Sequence, residues 1–295
     1  MAEKVSLQES KEFQLKIDID ANLPKGRRAR DRTDNALFRA AADAIRAAVD
    51  SVAHDRDPEV VIRDDRWQRE GIRYDTADGR LKANLLTLGI EATDKRTKLK
   101  FKQHNFIPEL LFAKPTQATV YPDIGKSGGY GKHDTKLKRE QDIHFDNIKS
   151  CASGSLYVKG RQTGDKDSSF FSPYFPGLDT ILPAPVPLKA VSHWDETIFD
   201  DMRTRWKRID IDTWMLVNRW EASTGKLLES ELSFKLVEKM DAAWDDRLLK
   251  EASALYLALQ KTGLFMALPP IFTFADPVSS LAIVKAPAQR AGTTK

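Results

Sequence analysis

Two short stretches decide the fold, Glu12-Phe-Gln-Leu-Lys16 and Glu229-Ser-Glu-Leu-Ser-Phe-Lys235. In each, polar and apolar side chains alternate with a period of two, the pattern of a strand with one wet and one buried face. Glu12, Gln14 and Lys16 therefore share a face, as do Glu229, Glu231, Ser233 and Lys235. Between them lies Tyr74-Asp-Thr-Ala-Asp-Gly-Arg-Leu81, an acidic turn leaving a strand that starts near Trp67. Working outward, Phe38, Ala41, Ile45, Val49 and Val52 recur at helical spacing behind Thr33 or Asp34, either of which can cap the helix. Trp244, Leu248, Ala252, Leu255 and Leu259 mark a second helix, which Gly263 stops. Further strands are expected at 85–91, 98–103, 188–191, 204–211, 215–220 and 228–237. From 104 to about 187 the pattern weakens among glycines and prolines, and only short strands such as 155–159 are expected there.

A chain of 295 residues can bury a substantial core. Its charged fraction of 31% and hydrophobic fraction of 41% are those of a folded globular protein and exclude a disordered one. The net charge of +4 is mild, so local clustering matters more. Lys25, Arg27, Arg28, Arg30 and Arg32 form one basic run, and Lys95, Arg96, Lys98, Lys100 and Lys102 another. Such runs suit an anionic partner or a solvated surface. Cys151 is the only cysteine, which excludes an intrachain disulfide and a cysteine metal cluster. Residues 1–10 lack the apolar core of a signal peptide, and the apolar stretch 263–274 is broken by Pro269 and Pro270. A cytoplasmic location and no membrane contact are expected.

In order and character, the 12–16 strand, the Tyr74–Leu81 turn and the 229–235 strand resemble the CYTH, or triphosphate tunnel, family. Members of that family open with a Glu-x-Glu-x-Lys strand, carry a Tyr-Asp-Thr-Pro-Asp-like turn and close on a Glu-x-Glu-x-Glu-x-Lys strand. The resemblance implies an α+β protein, a closed antiparallel β-barrel with flanking helices, whose polar bore binds phosphoanhydrides and a divalent metal. It implies one CYTH-like domain over 1–265, with an irregular insertion at about 104–187. Residues 266–295 are then a C-terminal extension, partly disordered.

By the same resemblance Glu12, Glu229 and Glu231 are the catalytic residues and hold Mg²⁺ or Mn²⁺, while Lys16 contacts phosphate. Lys98, Lys100 and Lys102 alternate as the family's basic strand does, which makes Lys100 and Lys102 substrate-binding residues. Arg203 and Arg205 resemble the arginine pair before the closing hairpin. The departures are specific: Gln14 replaces the second glutamate of the opening strand and Ser233 the third of the closing one. Thr87 and Gly89 stand where arginines are usual, on the strand after the Asp-Thr turn. The implied activity is divalent-metal-dependent hydrolysis of a triphosphate or polyphosphate, with cations neutralising phosphate oxygens and carboxylates holding the metal.

Two alternatives stand beside it. Gln14 and Ser233 favour a catalytically inactive CYTH-like module that binds polyanions. The 25–32 basic run would suit a nucleic-acid-associated protein, although no base-reading motif is present. Alternating Lys and Glu also describes any solvated sheet face, through cross-strand ion pairs. Other motifs are weaker. Gly125-Lys-Ser lacks the first glycine of a phosphate loop, where Val120 stands, and the five histidines show no zinc-site spacing.

Overall fold

The first strand, β1 (Ser6–Lys16), pairs antiparallel with the last, β11 (Leu227–Lys239), in a register that sets Glu12 opposite Lys235 and Lys16 opposite Glu231. Its other edge pairs with β6 (Lys136–Ile143). From β6 the ring continues through β7 (Ile148–Lys159), β5 (Arg96–Asn105), β4 (Leu86–Ala92), β3 (Arg66–Thr76), β9 (Pro187–Trp206) and β10 (Ile209–Glu221), which closes on β11. The result is a closed barrel of 9 strands. The expected antiparallel order holds with one exception, since β1 and β6 run parallel. β2 (Glu59–Ile62) and β8 (Lys166–Asp167) pair with β9 outside the ring. This computed structural model describes residues 6–23, 29–53, 57–105, 135–144, 148–183, 185–206, 209–239 and 244–267.

Period-two alternation leaves each strand an apolar face, and two outer layers bury those faces. Phe13, Leu15, Trp214, Leu216, Leu232 and Phe234 pack under the helices α2 (Arg30–Ala53) and α5 (Asp246–Gln260). Phe13 and Phe234 stack with ring centroids 4.7 Å apart. The helices answer with Leu37, Ala41, Ile45 and Val49 from α2 and Leu249, Ala252, Leu255 and Leu259 from α5. Each of the leucine, isoleucine, valine and phenylalanine side chains contributes about 1.5–3 kcal/mol by leaving water. At the start of α2, buried Asp34 accepts hydrogen bonds from Asn218 Nδ2 at 2.7 Å and Trp220 Nε1 at 3.2 Å, which ties the helix to β10.

On the far side, Ile72, Leu88, Ile90, Leu99, Phe101 and Leu156 are covered by Phe171, Phe175 and Leu178. Phe171 ends the short helix α4 (Ser168–Phe171), and Leu178 lies in a 3₁₀ turn at Pro176–Thr180. With apolar residues committed outward on most strands, the alternate side chains face the bore.

Three expectations are corrected here. The 104–187 stretch is not merely irregular, because it supplies the whole of β6 and β7 to the ring. The run 204–211 divides between β9 and β10. The 188–191 strand is the start of β9, which runs on to Trp206. Lys25, Arg27 and Arg28, the Gly125–Lys132 loop and the extension beyond 267 lie outside the described residues. Of the first basic run, Arg30 pairs with Asp195 at 3.2 Å. Among the described residues no helix is long and apolar enough to cross a membrane.

Candidate functional site

The bore is lined by charged side chains that pair between adjacent strands and, for Lys102 and Lys235, across an intervening one. In one network Lys235 of β11 lies 2.6 Å from Glu12 of β1 and 2.9 Å from Glu140 of β6. Lys102 of β5 reaches over β7 to Asp142 at 3.0 Å and Glu140 at 3.7 Å, and Lys138 approaches Glu140 at 3.7 Å. Burial raises the Glu12 and Glu140 carboxyls, but the Lys235 ammonium outweighs it and holds both below the ordinary range. The Cys151 thiol sits 3.8 Å from Asp142 and 3.9 Å from Glu140, and burial pushes its proton affinity well up.

A second network joins β3, β4, β9, β10 and β11. The Arg69 guanidinium bonds Glu91 at 2.6 Å and also Glu196, and Lys100 takes the other oxygen of Glu91 at 2.6 Å. Arg219 bonds Glu196 at 2.7 Å and also Glu229, which Lys16 approaches at 3.2 Å. Glu196 is nearly fully buried, and it accepts a third hydrogen bond from Trp194 Nε1 at 2.9 Å. The Trp194 ring has room because Gly71 faces it on β3, where an added Cβ would stand 2.3 Å from the ring.

Three charged groups are left over. Glu231, between the two networks, makes no hydrogen bond or ion pair among the described residues. Burial lifts its carboxyl to about 7, with Glu12 and Glu229 adding to the rise and Arg219 opposing it. Arg73 has no carboxylate partner among the described residues, and its guanidinium faces the Trp194 ring at 5.5 Å. Lys98 faces Tyr157 with its amine 6.0 Å from the ring centroid. Cations without a partner in a bore suit an anionic ligand, and carboxylate oxygens are the donors that a hard divalent cation takes.

The structure brings Glu12, Lys16, Lys100, Lys102, Glu229 and Glu231 into this bore. The three glutamates do not share one coordination distance. Among the described residues, the group of three possible ligand side chains within 4.8 Å of one another is Glu140, Asp142 and Cys151. That group is already compensated by Lys102, Lys138 and Lys235.

Arg203 and Arg205 are not brought to the site. Their side chains are 65% and 61% exposed, and they pair with Asp201 and Asp210 beyond the last contact of β9 with β3. Bore arginines missed in the sequence are Arg69 and Arg73, on the strand before the Asp-Thr turn, and Arg219 on β10. The turn itself is a cap. Asp75 accepts from the backbone N–H of Thr76, Leu81 and Lys82 at 2.7, 2.9 and 3.1 Å, and so orients α3 (Arg80–Ala83).

No protein-family model matches the chain, and no curated protein does. Among solved structures it is similar to a candidate adenylyl cyclase from Hippeastrum described as having a dominant triphosphatase activity, at 12% identity and a TM-score of 0.42, over 91% of this chain and 94% of that one. It is also similar to a protein provisionally described as an adenylate cyclase from Bacillus halodurans, at 10% identity and a TM-score of 0.33, over 79% and 89% of the two chains. A Pyrococcus horikoshii protein stands at 12% identity and a TM-score of 0.33, over 86% and 90%. Likenesses this remote leave the function to be argued from the bore.

Proposed function

We propose that the bore binds a triphosphate or a short polyphosphate and, with a divalent cation, hydrolyses it. One observation carries this: among the described residues the bore keeps Arg73 and Lys98 without a carboxylate and Glu231 without an ion pair, while the other charges named above close on one another. A phosphate chain supplies the missing anion and a metal the missing cation. Drawn together from their present separation, Glu231, Glu12 and Glu229 would hold Mg²⁺ or Mn²⁺, which would supply Lewis-acid polarisation of a phosphoryl oxygen and an attacking water of lowered pKa. Arg73, Arg219, Lys16, Lys100 and Lys102 bind and orient the chain and reduce the repulsion between phosphates and an incoming nucleophile.

A screen of inorganic and nucleoside triphosphates with Mg²⁺ or Mn²⁺ tests this. Release of phosphate that Glu231→Gln abolishes is the expected result. Binding without turnover supports a second reading, a polyanion-binding module. That reading is favoured by the closed pairing of Glu12 with Lys235, since a metal must displace the lysine before it gains that carboxylate.

A further inference from the structure

Lys98 enters the bore from β5 opposite Glu91 of β4, its natural ion-pair partner in the register. That carboxylate is already spent, with Oε2 bonded to Arg69 and Oε1 to Lys100, each at 2.6 Å. On its other side Lys98 meets Tyr157 of β7, over whose ring Arg96 also lies at 4.2 Å. Among the described residues, the other charges that act most on the amine are Lys100 on its own strand, Arg69 from β3 and Lys138 from β6, all cationic. The amine therefore sits in a wall of positive charge with no hydrogen bond or ion pair among the described residues. Burial, only partly opposed by Glu91 and reinforced by Lys100 and Arg69, pushes it down to about 7.

We infer that Lys98 is a proton-accepting anion ligand: neutral before a polyanion arrives, it takes one proton from solvent onto its lone pair as a phosphate chain settles against it. The inference rests on the bore being the polyphosphate site proposed above. Its physical basis is the reversal of the local field. Phosphate oxygens favour the ammonium form as strongly as Lys100 and Arg69 disfavour it, and each then gains a charge-assisted hydrogen bond. Binding and protonation are linked, so affinity falls as pH rises above neutrality, and compact, highly charged ligands are favoured over monoanions.

The test is calorimetry with tripolyphosphate near pH 8, with a chelator present, in two buffers of different ionisation enthalpy. The difference between buffers counts protons taken up. The wild type should take up about one proton more than Lys98→Arg or Lys98→Met. The ligand's own protonation is common to all three proteins and cancels. Lys98→Arg, a fixed cation, should keep the affinity, and Lys98→Met should lose it about tenfold. If Lys98→Met does not fold, the Arg variant carries the test alone. Equal proton counts in the wild type and Lys98→Arg overturn the inference and leave the polyphosphate site standing. No binding to the wild type overturns both.

Discussion

Lys235 and Glu12 face each other across β11 and β1 at 2.6 Å, and the same ammonium reaches Glu140 at 2.9 Å. One lysine thus serves two buried carboxylates, Glu12 on the adjacent β1 and Glu140 on β6 beyond it. Without it both must be protonated or repel one another. Lys235→Ala should destabilise the protein by about 3–5 kcal/mol, the usual cost of stranding a buried charge. Urea unfolding near pH 7 measures this, and an unchanged midpoint would show that the pair is solvated.

Asp75 should matter for stability and not for ligand. Its carboxylate satisfies three backbone N–H groups at the Asp-Thr turn. Asp75→Ala leaves them without an acceptor and should cost about 1–3 kcal/mol. Anion affinity measured on the folded fraction should be unchanged. A selective loss of affinity would return the turn to the site.

Lys102→Ala and Arg205→Ala should part company. Lys102 lies in the bore with Asp142 and Glu140, whereas Arg205 is exposed and bound to Asp210. Tripolyphosphate affinity should fall in the first variant and stay within error in the second. Equal losses would place the Arg205 end of β9 at the ligand.

Strands β1 and β11 were legible because their outward faces are wholly apolar near Phe13, Leu15, Leu232 and Phe234. The helices were legible for the same reason. Strand β6 was not. Its outward positions include Arg139 and Gln141, which bury against Glu9 and Lys11 of β1, so the apolar half of the alternation is broken between Leu137 and Ile143. Arg203 and Arg205 show the opposite failure. Their spacing is right for a strand, but they sit where β9 runs between β10 and β2, outside the ring segment that pairs with β3. Arg69 and Arg219 gave no motif. Their role depends on Glu196, which the pairing of β9 with both β3 and β10 brings between them.

Glu231→Gln should also change stability with pH. The folded carboxyl titrates at about 7, above its ordinary value of 4.5. Below the ordinary value it is neutral whether folded or unfolded, and it costs nothing. The cost grows as pH rises toward 7 and is complete above. The neutral amide removes it, so the variant should melt above the wild type at pH 8 and with it at pH 4, by calorimetric scans without metal. A variant less stable at pH 8 would mean that Glu231 has a partner in solution.

The central claim is that the left-over bore cations hold a phosphate chain, and direct titration with tripolyphosphate in the presence of a chelator tests it. The expected result is saturable binding that weakens about tenfold, ~1.4 kcal/mol, in Arg73→Ala. Lys250→Ala, on the exposed face of α5, should leave it unchanged. Binding that is absent, or equally weakened by both substitutions, would contradict a polyanion site in the bore.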